Sequence, residues 1–66
     1  MKTFDIHFNN SESSNNKGFK ETEEFCRDYI KIHNGTDFSY FKDYKCGIVS
    51  IICNETGETV YTEEVR

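Results

Sequence analysis

The stretch Lys45-Cys46-Gly47-Ile48-Val49-Ser50-Ile51-Ile52-Cys53 is the most apolar in the chain, and it carries apolar side chains at both odd and even positions. Successive side chains of a strand point to opposite faces. A strand of this composition therefore calls for cover on both sides, which places it in the middle of a sheet. In a chain of 66 residues that requirement is severe. Only one domain fits, residues 1–66, and its core is thin.

The flanking segments supply the partners. Residues 2–8 alternate strictly, with Phe4, Ile6 and Phe8 on one side and Thr3, Asp5 and His7 on the other. That period of two marks a half-buried strand, with His7 on its polar face. Residues 58–65 form a third, more polar strand suited to a sheet edge. The turn Asn54-Glu55-Thr56-Gly57 joins it to the apolar strand, with Gly57 free to take a positive φ.

Between the first two strands lies the helix. Phe19, Thr22, Cys26, Tyr29, Ile30 and His33 follow helical spacing, with Phe25 beside them, so residues 18–33 read as helical. Glu21, Glu23 and Glu24 near its start and Lys31 and His33 near its end suit the helix dipole, and Asn34-Gly35 is a stop signal. The aromatic stripe reads as core. Residues 9–17 contain no apolar side chain and are expected to be a mobile polar loop. Residues 36–44 hold four aromatics, too many for an unpacked loop. Two readings stay open for them: a helical turn capped by Thr36 or Asp37, or an extended chain.

The expected fold is therefore α+β in the order β-α-β-β. One helix packs on a small three-stranded sheet whose second strand is central. A single helix covers one sheet face. The other is left to water, to residues 36–44 or to a second molecule. Exposing Ile or Val forfeits about 1.5–3 kcal/mol per side chain relative to full burial, so a homodimer is expected. Its candidate interface residues are Phe38, Tyr40, Phe41, Tyr44, Ile48, Ile52 and Tyr61.

No motif forces a chemistry. The glycines are isolated, so there is no phosphate-binding loop, and Ser50 sits in no nucleophile elbow. The adjacent acids Glu23-Glu24 and Glu63-Glu64 do not share a face. The net charge is −4 and the bases are scattered, which opposes binding to a phosphate backbone. No apolar run reaches membrane-spanning length and no export signal is read, so a cytoplasmic setting is expected. Ala, Leu, Gln, Pro and Trp are absent while Phe, Tyr, Ile, Asn and Lys abound. That bias matches AT-rich codons and points to a low-GC bacterial, phage or mobile-element source. The expected function is that of a small binding or regulatory protein without catalysis, acting through protein–protein contacts, in one version an acidic inhibitor. The alternative is a nucleic-acid-binding module using aromatic stacking and scattered lysines.

The three cysteines, Cys26, Cys46 and Cys53, make an odd count in a reducing setting. Cys46 and Cys53 on one strand lie about 23 Å apart, beyond bridging. No C-x-x-C or H-x-x-x-H spacing is present, so no metal or cofactor is expected and the thiols read as core residues. Thiol titration of the denatured protein should return three free thiols, and elemental analysis no stoichiometric zinc. A zinc-to-protein ratio near one overturns this reading.

Overall fold

The alternating segment at the N-terminus forms strand β1 (Phe4–Asn9), with Phe4, Ile6 and Phe8 buried as the period demands. The structure, a computed structural model, describes residues 2–66. After β1 the chain reverses within residues 10–13. The Asn10 side-chain oxygen accepts from the amides of Glu12 and Ser13, each at 2.8 Å. This is asparagine's usual way of closing a turn.

The chain then runs back as β2 (Ser14–Glu21), antiparallel to β1. Residues 14–17 are thus paired strand rather than loop, and residues 18–21 belong to this strand rather than to the helix. The physical reason is that the ladder is made of main-chain groups. On an outer strand, Ser and Asn side chains can stay in water while their backbones pair. Only Lys17 and Phe19 are half-buried. β2 bulges opposite Asp5, since Phe4 pairs with Glu21 while Ile6 pairs with Lys17. Lys20 there takes a φ of 55°, and its amide donates to the Asp5 carboxylate at 3.1 Å. Asp5 is buried, and the Asn54 side-chain amide supplies a second donor at 3.0 Å.

Helix α1 (Glu23–His33) starts after this bulge, at a cap the chain encodes locally. The Thr22 hydroxyl accepts from the Phe25 amide at 3.1 Å. Asn34 caps the far end and Gly35 turns the chain at a φ of 89°. Residues 36–44 resolve to the helical alternative: α2 (Tyr40–Asp43) is a single turn. Its N-cap is Ser39, with a φ of 53°, rather than Thr36 or Asp37. The Thr36 hydroxyl instead donates to the His33 carbonyl at 2.6 Å.

β3 (Ile48–Cys53) and β4 (Thr59–Glu64) complete the sheet. Gly47 enters β3 where an added Cβ would overlap the Asn9 carbonyl oxygen, so a side chain there has no room. The sheet has four strands, in the order β2-β1-β3-β4, all antiparallel. The α+β class stands, but the expected sheet of three gains a strand from residues 14–21. β3 is interior, as its composition requires, and shares that position with β1.

One sheet face carries the core. Phe4, Ile6 and Phe8 of β1 and Val49, Ile51 and Cys53 of β3 are buried there against Cys26 and Ile30 of α1, Phe41 and Tyr44, and Val65. Residues 36–44 pack on this same face, not on the other. The opposite face holds Asp5, His7, Asn9, Asn16, Ser50, Thr62 and Glu64 with two apolar residues, Ile48 and Ile52. Among the described residues no helix is long and apolar enough to cross a membrane.

The two faces make opposite demands on neighbouring isoleucines. Ile51 is fully buried and Ile52 is half-buried on the open face. Ile51→Ser leaves a cavity and a buried hydroxyl, a loss of about 3–5 kcal/mol. A domain of this size has a total stability of roughly 3–10 kcal/mol. Ile52→Ser is expected to cost less than about 1.5 kcal/mol. Urea denaturation of both variants measures the difference, and equal losses would contradict this assignment of faces.

Candidate functional site

The arrangement most unlike a simple core lies along one flank of α1. At about 100° per residue, Ile32, Phe25, Tyr29, His33, Cys26 and Ile30 span an arc of about 160° around the helix. The sheet beneath buries only Cys26 and Ile30. Tyr29 and His33 are half-buried, while Phe25 is 45% and Ile32 67% exposed. The apolar arc is wider than the surface that covers it.

The uncovered part is organised as a row of rings. Phe19 of β2 meets Phe25 and Tyr29 edge-on, at centroid distances of 5.7 and 4.9 Å. Tyr29 meets His33 at 4.8 Å, and His33 stacks on Phe38 at 4.1 Å with planes 17° apart. Phe38 is itself 49% exposed. Tyr29 is anchored inward against Phe41 at 5.8 Å, and burial raises its hydroxyl above the ordinary tyrosine range, partly offset by the Ser39 hydroxyl. Phe25, Asp28, Tyr29, Ile32 and His33 line an open groove of about 240 Å³.

The seven interface candidates fall in separate places. Phe38 joins the aromatic row. Tyr40 is half-buried, with the Lys17 ammonium 4.9 Å from its ring centroid. Phe41 and Tyr44 are enclosed in the core, so they cannot present themselves to a partner and drop out as contact residues. Ile48 and Ile52 stand on the opposite sheet face, and Tyr61 is half-buried at the β4 edge with the Arg27 guanidinium 4.4 Å from its ring centroid. Phe25, Tyr29 and His33, which helical spacing assigns to a core stripe, and Ile32, which lies outside that stripe, all reach the surface. The signal that finds them is the width of the apolar arc.

Other candidate chemistry is not assembled. His7 and Ser50 are cross-strand neighbours on the open face, but no side-chain hydrogen bond joins Asp5, His7 and Ser50 among the described residues. No group of three His, Cys, Asp or Glu residues suited to a metal occurs among them either. Cys26 is buried, and burial pushes its thiol up to about 11, with Asp5 adding to the effect. Cys53 is buried too, and its thiol is drawn below the ordinary range by Thr56. Cys46 is exposed, which corrects its reading as a core residue. It sits at a φ of 71° in the turn into β3 rather than within the strand.

The C-terminal end of the flank is fixed by Asn34, which is buried. Its amide donates to the Glu64 carbonyl at 2.9 Å and to the Glu63 carboxylate, and its oxygen accepts from the Arg66 amide at 2.8 Å. The Tyr61 hydroxyl donates to the other Glu63 oxygen. These bonds tie α1 to β4.

A search of family models, of curated proteins and of solved structures finds no match to this chain.

The Asn34–Glu63 tie has a pH signature. Hydrogen bonds from Tyr61 and Asn34 hold the Glu63 carboxyl below its ordinary 4.5. A carboxyl whose pKa is lower in the folded state binds its proton more readily when unfolded. Its stabilisation is therefore full above about 4.5 and is lost as pH falls through the lowered folded value. The melting temperature of the wild type is expected to exceed that of Glu63→Gln at pH 7, with the gap closing toward pH 3. A gap that stays constant with pH would contradict the role given to Glu63.

Proposed function

We propose that this chain is a small non-catalytic binding protein that acts by protein–protein contact, and that the aromatic flank of α1 is the surface it uses. The carrying observation is the contiguity of Phe25, Ile32 and Phe38, all more than two-fifths exposed, with the half-buried rings of Tyr29 and His33 between them. Single exposed apolar side chains are ordinary, whereas a connected set on a small protein points to an interface. The rings already brace one another, so a partner would meet a surface needing little ordering. The net charge of −4 favours a partner with a basic surface. An acidic inhibitor of a protein that normally holds phosphate, from a phage or mobile element, is one form this takes.

A second copy of the chain is the other occupant to consider. Ile48, 44% exposed, and Ile52 stand on the open sheet face on either side of Ser50 and favour a homodimer there. Nucleic acid is the runner-up for the aromatic row, since rings stack on bases. The carboxylate of Asp28 in the groove lining works against it by repelling phosphate.

The test is affinity capture from the native cell with the wild type and with the double variant Phe25→Ser/Ile32→Ser. Neither residue is part of the buried core, so the variant is expected to fold, with a melting temperature only modestly below that of the wild type. Proteins retained by the wild type and lost by the variant are the expected result. An identical retained set contradicts the reading. Nucleic acid in the wild-type eluate shifts it to the runner-up. Sedimentation of Ile48→Ser against the wild type decides the homodimer.

A further inference from the structure

We propose that the groove on α1 receives a cationic side chain, an arginine or lysine of a partner polypeptide, with its charge at Asp28 and its stem against Phe25 and Ile32. The inference rests on the docking reading above and specifies the chemistry of what docks.

The groove lining contains three aromatic rings, one aliphatic side chain and one carboxylate: Phe25, Tyr29, His33, Ile32 and Asp28. Aromatic faces carry negative quadrupole density and attract cations, most of all where solvent is partly excluded. Asp28 adds a full negative charge at the rim. Among the described residues its carboxylate enters no ion pair and accepts no hydrogen bond. The neighbouring cation is engaged elsewhere: the Arg27 Nε donates to Glu23 at 2.8 Å, and its guanidinium lies over Tyr61. Lys31, one turn on, forms no ion pair with it either. The groove thus offers an unmatched negative charge beside π surface and apolar surface.

Its size narrows the occupant further. About 240 Å³ and open to solvent, it has room for one long side chain. Lysine and arginine have an apolar stem and a charged tip, which is the pattern the lining repeats in negative. A carboxylate or phosphate would face Asp28 and be repelled, and a plain aliphatic chain would leave the Asp28 charge without a partner. Arginine is the better fit of the two, because its planar guanidinium both stacks on rings and forks onto a carboxylate. The same chain already uses this chemistry internally, with Lys17 over Tyr40 at 4.9 Å and Arg27 over Tyr61 at 4.4 Å.

The experiment titrates the ¹⁵N-labelled full chain with three acetylated, amidated peptides: Leu-Arg-Leu, Leu-Lys-Leu and Leu-citrulline-Leu. Citrulline keeps the size and shape of arginine and lacks its charge. The expected result is shifts centred on the amides of Phe25, Asp28, Ile32 and His33, with the arginine peptide binding at least threefold more tightly than the citrulline peptide. Asp28→Asn should erase that difference, while Glu24→Gln, one turn back and outside the groove lining, should leave it intact. Both variants change exposed side chains, and the spread of their amide resonances reports that they fold. Equal binding of the arginine and citrulline peptides at the groove overturns the cationic assignment and leaves the docking surface standing. Equal loss in Glu24→Gln, or an arginine preference that survives Asp28→Asn, overturns it too. Shifts scattered over the acidic surface with none at the groove also overturn it, and the docking reading is then judged by the Phe25→Ser/Ile32→Ser capture alone.

Discussion

The ring of Phe8 meets Phe41 and Tyr40 edge-on, at 5.0 and 5.5 Å, and lies 5.8 Å from Tyr44. These contacts join the first strand to the segment that follows the helix, across more than thirty residues of chain. Aromatic residues bring large buried area per side chain. A domain this short, without a single leucine or alanine, has few other ways to fill a core. Everything else follows from where that cluster forms. By drawing residues 38–44 onto the face already occupied by α1, Phe8 concentrates the core on one side of the sheet and leaves the other side to polar groups.

That concentration explains why the helix flank is open. α2 is one turn long, and it sits against Phe8 and Tyr29 without reaching the outer side of α1. β2 supplies Phe19 at the other end of the row and nothing apolar beyond it. The helix therefore rests in a cradle that holds its inner third. Phe25 and Ile32 project past it. The clasp of Asn34 onto Glu63 and Glu64 keeps the helix from rolling to bury them, because rotation would tear the C-cap from β4. The exposed row is thus a consequence of how firmly the rest of the helix is held.

Much of this was legible in the residues. β1, β3 and β4 declare themselves by their period of two or by their apolar run, and the C-terminus of α1 by Asn34-Gly35. β2 was not legible, because Ser-Asn-Asn-Lys has the composition of a loop and pairs only through its main chain, alongside a strand that needs a neighbour. The start of α1 moved with it: Phe19 continues the helical spacing numerically, but Asp5 captures the Lys20 amide and sets Thr22 as the cap. The candidate site was half legible. Helical spacing put Phe25, Tyr29 and His33 on one arc, but periodicity does not report how wide a surface will meet that arc. Phe41 and Tyr44 stand with Phe38 among the interface candidates because nothing local distinguishes the three, although their segment is too aromatic to lie unpacked. Only the tertiary meeting with Phe8 does.

The kink at Lys20 has a consequence beyond its bond to Asp5. An outer strand presents a row of unpaired amides and carbonyls on which another chain can polymerise. In β2 that row is broken where Gly18, Phe19 and Lys20 stand against the one residue Asp5, and in β4 it is broken again where the register slips between Ile51 and Ile52. Bulges twist an edge out of line for an incoming strand. Both borders of this sheet therefore resist growth into stacked or swapped assemblies. For a chain with an apolar run like Ile48–Cys53, that disfavours pairing with further copies through the backbone.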